Sequence, residues 1–300
     1  MKYRIFESSD TNVKKFVFEW EANGFGVRNA VAEAVLYRYG SYSERTVICC
    51  SVQSGCPVGC AFCGTGKFFA RNLYAHEIVE QVDSVLSTID CKTSDIEKFQ
   101  IMFMSMGEPF LNYLHLKLAI QQLHKKYPNA QLLVSTSAPA GIEKHISDFI
   151  SLSQEIDKVG LQFSVHESTD DNRRKLIPTK TCTLRQIAAI GNLWAALVGR
   201  KPFYNYCVHE GNNTAEDAER LCELFDTRVW ETTLSVICEK DESVKSSIDR
   251  QLSIIGNFSK ELLNRGASLR VFNPAGQDDI GGGCGQLWYF QEWLKTHKNE

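Results

Sequence analysis

Several absences narrow the class of this chain before any motif is considered. No apolar run approaches the roughly 20 residues that would cross a bilayer as a helix, and the opening stretch MKYRIFESSDTNVKKF has no apolar centre of the kind a secretory leader needs. A cytoplasmic protein with no membrane partner is expected. No internal repeat or low-complexity tract appears, and proline and glycine punctuate the chain rather than forming a linker, which excludes solenoid, collagen-like and disordered classes. Nor is there a basic excess. Lys+Arg at 33 against Asp+Glu at 36 leave a net charge of -3, which argues against a globally basic nucleic-acid surface and leaves a local basic face open.

Length and thiols are what the chain does have. Its 300 residues, 43% hydrophobic and 23% charged, can fill one large α/β barrel or two modest domains. The 11 cysteines are odd in number and unevenly spaced, which suits a reducing compartment and not a secreted disulfide framework. They need another purpose.

From about residue 46, short β-branched runs alternate with helical patterns. Strands are predicted at 46–51, 99–104, 131–136, 160–165, 203–208, 232–237 and 268–272, and helices at 75–89, 113–126, 184–198, 215–225 and 250–264. Repeated βα units imply a parallel sheet with helices outside, here a partial (β/α)6-type TIM barrel. Residues 1–44 read differently: 14–20 and 30–39, separated by Asn23-Gly24, look like a small antiparallel strand pair appended to a catalytic barrel at 45–300.

The densest chemical signal is Cys56-Pro57-Val58-Gly59-Cys60-Ala61-Phe62-Cys63, directly after the first barrel strand. Three thiols this close on a loop can grip one metal centre. Iron-sulfur clusters are held by Cys thiolates, usually four, so three would leave one iron open. A structural zinc site completed by His76 or another cysteine is the alternative, although such sites prefer paired CxxC spacings. Gly64-Thr65-Gly66-Lys67 is no phosphate loop, because the position five before Gly66 is Ala61.

The CxxxCxxC spacing, with Phe62 before its last cysteine, resembles the radical S-adenosylmethionine (SAM) superfamily. That resemblance implies an open iron binding the amino and carboxylate groups of SAM, whose reductive cleavage yields a 5'-deoxyadenosyl radical. Further motifs sit at the ends of successive strands, where barrel enzymes place their chemistry. Met104-Ser105-Met106-Gly107-Glu108-Pro109 follows the second strand, Ser135-Thr136-Ser137 the third and Ser164-Val165-His166 the fourth. Singly these are ordinary: a turn with a helix-starting proline, and hydroxyls that cap backbone groups. In context, Gly107 lets the backbone approach a ligand, and the Glu108 carboxylate can accept hydrogen bonds from an ammonium.

Together with the stretch from Arg45 to Cys56 and Asp278-Asp279-Ile280-Gly281-Gly282-Gly283-Cys284, these motifs closely resemble the radical SAM adenine methyltransferases of the RlmN/Cfr group, in order over about residues 12 to 290. The resemblance implies methylation of an sp2 carbon of adenine in ribosomal or transfer RNA, C2 preferred over C8. It also implies a [4Fe-4S] cluster on Cys56, Cys60 and Cys63, two SAM per turnover, and an external electron donor such as flavodoxin. SAM contacts follow at Gly107, Glu108, Ser135, Ser164, Val165 and His166. Cys284 would be methylated by one SAM; the radical from a second would remove hydrogen from that methyl group, and the methylene radical would add to adenine. Glu33 would then take the adenine proton, and Cys49 would release the product by forming a disulfide with Cys284. Neighbouring side chains on a strand point to opposite faces, so only one of Cys49 and Cys50 should reach the site, and the resemblance, by its spacing to Cys56, favours Cys49. Cys91, Cys182, Cys207, Cys222 and Cys238 read as core or surface residues.

Three features depart from the family. The chain is expected to lack the usual N-terminal helical domain that helps grip RNA. The stretch at 237–242 lacks a Pro-Trp-Asn-Pro element, with Lys240 in its place. The basic run at 172–178 continues as Thr179-Lys180-Thr181. Lys67, Arg71, Arg173, Arg174, Lys175 and Lys180 are expected at the barrel mouth, either neutralising RNA phosphates or forming a solvated charged face. The same Cys284 relay acting on a small molecule, nucleotide or peptide is the second reading.

Overall fold

The computed structural model describes residues 1–22, 28–66, 68–235, 244–272, 280–281, 287 and 289–296. Four antiparallel strands come first: β1 (Lys2–Glu7), β2 (Val13–Trp20), β3 (Ala30–Tyr39) and β4 (Ser41–Cys50). A short hairpin of β5 (Gln53–Gly55) and β6 (Phe69–Asn72) leads to α1 (Ala75–Leu86). The βα units then run β7 (Lys98–Phe103), α2 (Tyr113–Lys126), β8 (Gln131–Thr136), α3 (Glu143–Glu155), β9 (Val159–Ser164), α4 (Asp170–Leu176) and α5 (Leu184–Val198). They continue through β10 (Phe203–Cys207), α6 (Ala215–Leu224), β11 (Glu231–Ser235), α7 (Val244–Asn264) and β12 (Ser268–Phe272) to α8 (Tyr289–Thr296).

One ten-stranded sheet results, ordered β1-β2-β3-β4-β7-β8-β9-β10-β11-β12. From β4 onward neighbours are parallel, and among the described residues β12 pairs with β11 alone, so the barrel is open. The expected antiparallel pair is present as β2 and β3, with further N-terminal strands on either side. The N-terminal strands are four, and β4 joins them to the barrel by pairing antiparallel with β3 and parallel with β7. β1 escapes sequence pattern because it is an exposed edge strand throughout, and β4 starts five residues before its expected position because its first half is polar and half-exposed. The helices α3 and α4 were not anticipated either: α3 mixes its core residues Ile146, Phe149 and Ile150 with serines that read as loop.

Strand alternation divides the molecule into an outer and an inner layer. On β3, Ala30, Ala32, Ala34 and Leu36 pack outward into the core with Ile78, Val82 and Val85 of α1. Val31, Val35 and Tyr37 of the same strand face inward with Val17, Val47, Met106, Leu287 and Trp293. Close approach fixes the helix layer too. A Cβ on Gly191 of α5 would lie 2.1 Å from the Trp230 ring, so only glycine lets this indole seat there and donate from Nε1 to Asn192 Oδ1 at 2.7 Å.

Candidate active site

Cys56, Cys60 and Cys63 lie in the loop between β5 and β6, half-buried and in no disulfide. Backbone bonds hold this loop from two directions: Cys56 N donates to Phe68 O at 2.8 Å, and Ala61 N to Leu176 O at 2.9 Å. Thr179 Oγ1 adds a bond to Val58 O at 2.8 Å. Burial pushes the Cys56 thiol up to about 12, and burial followed by the neighbouring Cys63, Cys56 and Glu108 raises Cys60 as well. Thiolates can gather here only against a strong positive charge, which a metal centre provides. Among the described residues no three His, Cys, Asp or Glu groups are set to hold a single ion. A tetrahedral zinc bound at about 2.3 Å needs sulfurs on the order of 4 Å apart, whereas a cluster takes each thiolate on a separate iron. Three closely spaced thiols on one loop are a donor set that fits a cluster with one thiolate per iron, and His76 sits exposed on α1, stacked on Tyr74.

The Gly107-Glu108 turn is locked onto this hairpin. Gly107 has φ 96, and a Cβ there would lie 2.6 Å from Gln53 Cβ and 2.9 Å from its backbone nitrogen. Gln53 Oε1 accepts from Glu108 N at 2.8 Å, and its Nε2 donates to Asn72 Oδ1 at 2.8 Å. Asn112 Nδ2 donates to Val52 O at 2.7 Å and Leu73 O at 2.8 Å. The Glu108 carboxylate, expected to receive an ammonium, is engaged within the protein. It accepts from Thr136 Oγ1 at 2.6 Å, Ser137 N at 2.7 Å, Ser137 Oγ at 2.8 Å and Phe110 N at 3.1 Å. Burial raises this carboxyl, the four donors opposing it.

Ser135 on β8 faces inward and meets Gln162 Nε2 at 3.1 Å beside a cavity of about 140 Å³ that Met104 also lines. Ser164 ends β9 half-buried, and Val165 is fully buried. His166 adopts a left-handed φ of 62, accepts from Cys207 N through Nδ1 at 3.2 Å and meets the Phe62 ring edge-on at 5.2 Å. Burial drives its basicity down to about 3, so the imidazole is neutral at physiological pH. Asn212, which carried no signal in the sequence, ties this turn to β10 by donating to His166 O and Cys207 O, each at 2.9 Å.

Glu33 and Cys49 share the inner face of the N-terminal strands. Cys49 pairs with Val35, two residues along β3 from Glu33, and is partly exposed. Cys50 points to the outer core, fully buried with its thiol raised by that burial. Glu33 is 0% exposed; Lys15 Nζ lies 3.2 Å from its Oε2, and Tyr289 N donates to its Oε1 at 2.9 Å. Lys15 also reaches Gly281 O at 3.5 Å, and Thr65 Oγ1, two residues past Cys63, donates to Leu287 O at 3.2 Å. Cys284 itself lies outside the described residues, as do Lys67, Cys238 and Lys240.

A scan against protein-family models finds no match. Over 284 residues the chain is 30% identical to a probable dual-specificity RNA methyltransferase RlmN of Dictyoglomus turgidum, which covers 93% of this chain and 77% of the relative. The counterpart in Thermotoga petrophila is 31% identical over 278 residues, 91% of this chain and 75% of its own. The chain belongs to the RlmN family. Its fold is that of a radical SAM methyltransferase: the crystal structure of one from Sphaerobacter thermophilus matches with a TM-score of 0.75 at 27% identity, covering 95% of this chain and 80% of the other. A spore photoproduct lyase mutant, 13% identical with a TM-score of 0.51 over 75% of this chain and 76% of its own, shares the fold alone. This RlmN-family chain is thus an enzyme of the radical SAM methyltransferase type, and membership implies SAM and a [4Fe-4S] cluster.

Two of the basic residues expected to meet RNA serve the RlmN-family fold instead. Arg173 is 2% exposed and donates to Val165 O at 3.2 Å, Ser164 O at 2.9 Å, Ser137 O at 2.7 Å, Thr181 Oγ1 at 2.6 Å and Cys182 O at 3.2 Å. Its turn on α4 points it under the site rather than out of it. Arg71 makes a two-pronged pair with Glu77 at 2.7 Å per bond and adds a bond to Arg28 O at 2.9 Å, so its planar donors are committed. Arg174, Lys175 and Lys180 are exposed. Arg174 pairs with Asp171, and Lys175 bonds Asn172 Oδ1 at 3.1 Å.

Proposed function

We propose that this enzyme methylates an sp2 carbon of an adenine in RNA, C2 in preference to C8, through a methyl group carried on Cys284. One observation carries the reading beyond family membership. Glu33 and Cys49 share one inner face, and both described flanks of the Cys284 segment reach this site, Gly281 at Lys15 and Leu287 at Thr65 beside the cysteine loop. The thiols of Cys56, Cys60 and Cys63 would hold the cluster. A bound cluster would supply one-electron chemistry, reduction of SAM and acceptance of the electron lost as the modified adenine regains aromaticity.

The chain's own residues do the rest. The backbone of the Gly107 turn, Ser135 and the Ser164-Val165-His166 turn would seat SAM at the barrel mouth. Once the new carbon–carbon bond has formed, Glu33 would accept the proton leaving the adenine carbon. Cys49 sulfur would then attack Cys284 sulfur: an S–S bond forms, the S–CH2 bond breaks, and its electron pair takes up a proton to give the methyl group. The disulfide is afterwards reduced by an external thiol. The target base must be unstacked to reach this face, which favours loops over duplex. A cytoplasmic location and a flavodoxin-like electron donor belong to the same reading, as does a working unit in which residues 1–44 supply Glu33 to the 45–300 barrel.

The test is anaerobic reconstitution followed by SAM with a labelled methyl group and total cellular RNA. Label is expected first on Cys284 and then on adenine, and Cys49→Ala is expected to accumulate RNA covalently bound to Cys284. Label on neither protein nor RNA discards the relay, and free, normally methylated RNA from Cys49→Ala removes Cys49 from the resolving step.

A further inference from the structure

We propose that Lys15 is a positioning residue of this reaction: its ammonium keeps Glu33 an aimed carboxylate and links it to the docked C-terminal segment. The proposal rests on the reading of Glu33 as the proton acceptor. On the antiparallel β2–β3 pair, Val17 stands opposite Glu33 and Lys15 opposite Val35, so Lys15 and Glu33 are diagonal neighbours on the inner face. Their side chains are 7% and 0% exposed, 3.2 Å apart. The positions around them are filled by Val17, Val31, Val35, Met106 and Leu287.

A charge pair in such surroundings is a poor choice for stability, because desolvating two ions commonly costs more than their attraction returns, and apolar residues of similar volume hold a fold at least as well. Its presence on a valine-lined face therefore points to chemistry. Solvent does not reach Glu33, and a carboxylate buried without a cation favours its protonated form, which cannot take a proton. A cation within about 4 Å favours the charged form, and Lys15 occupies that place. It also sets direction: the Tyr289 N–H donates to Oε1, Lys15 Nζ stands beside Oε2 as an ion-pair partner, and Lys15 at the same time reaches Gly281 O at 3.5 Å. The ammonium thus touches both the acceptor and a residue three positions before Cys284.

Among the described residues, the other titratable or charged groups on this inner face are Tyr37 along the same strand and Cys49 from β4. From α8 comes Tyr289, over whose ring Arg4 of β1 sits at 4.6 Å. Lys15 itself lies 5.6 Å from the centre of the Phe6 ring of β1.

The experiment compares Lys15→Met, Lys15→Arg and Glu33→Gln in the full-length reconstituted enzyme. Label transfer to Cys284, which needs no proton from adenine, is followed separately from transfer to RNA, between about pH 6 and 9. Lys15→Met is expected to label Cys284 to the parent extent while RNA methylation falls about tenfold at neutral pH and recovers as pH rises, the acidic limb having moved up by about one unit. Lys15→Arg should restore the parent profile. Without SAM or RNA, an infrared titration should show the protonated-carboxyl band of Glu33, identified by its loss in Glu33→Gln, persisting to higher pH in Lys15→Met. An unshifted band and profile in Lys15→Met, with Glu33→Gln inactive on RNA, overturns the role of Lys15 and leaves Glu33 standing. Normal RNA methylation by Glu33→Gln removes the proton-acceptor reading instead. Loss of Cys284 labelling in both Lys15 variants would mark a purely structural residue and overturn the proposal.

Discussion

Arg173 shows how much a single side chain decides here. Burial pushes its guanidinium down to about 10, still charged at neutral pH, and no carboxylate pairs with it among the described contacts. Five carbonyl and hydroxyl acceptors satisfy it, and they belong to the ends of β8 and β9 and to the stretch at 181–182, the layer on which the turns proposed to seat SAM stand. Arg173→Met would leave those acceptors facing an apolar chain. It is expected to lower stability by about 3 to 5 kcal/mol, whereas Arg174→Ala should stay within about 0.5 kcal/mol; denaturant unfolding measures both. Similar values for the two would show that the buried network is not what holds the layer. In one dimension Arg173, Arg174 and Lys175 are a single basic run, and seven helical residues with no apolar stripe give no phase from which to read that the first points inward.

At the scale of elements, the β5–β6 hairpin and the turn after β7 form one unit through Gln53, Asn72 and Asn112. Gly107 is where that unit is tightest, and Gly141 offers an internal control. Both have φ +96, yet nothing lies within 4 Å of a Cβ at Gly141. Alanine at either position should cost roughly 1 to 3 kcal/mol from backbone strain. Only Gly107→Ala should also displace Gln53, lowering the iron and sulfide retained after reconstitution and weakening SAM binding. Equal cluster content in the two variants would disconnect the turn from the hairpin. The glycine and the cysteines were legible as motifs, but Gln53 was not, since a lone glutamine has no pattern. The parity of Cys49 and Cys50 was legible as a rule, because a strand alternates with period two, and the fold supplies which face is which.

For the whole molecule, the net charge of -3 means that any RNA affinity has to come from a local face. Among the described candidates Arg174, Lys175 and Lys180 are exposed and are the ones proposed for that purpose, while Arg71 and Arg173 are engaged within the fold. Replacing the three by Gln should flatten the dependence of log affinity on log salt by up to about two, given about 0.7 per phosphate for single strands. Anisotropy titrations at several ionic strengths measure this, and an unchanged slope would place the RNA surface elsewhere. Arg71→Gln should leave the slope alone. Whether residues 1–44 were an appendage could not be read from their sequence, since pairing between strands is a long-range property. The sheet runs unbroken from β1 to β12 and places Glu33 on an inner face under α8.

Residue order alone determined the βα rhythm, the three-thiol loop and the family, because hydrophobic period and local spacing are written along the chain. Only tertiary structure decided which charges are solvent-facing and that Lys15 stands against Glu33. Those facts depend on burial and on contacts between residues far apart in sequence, and a side chain's charge has chemical meaning only once its distance from water and from its partner is set.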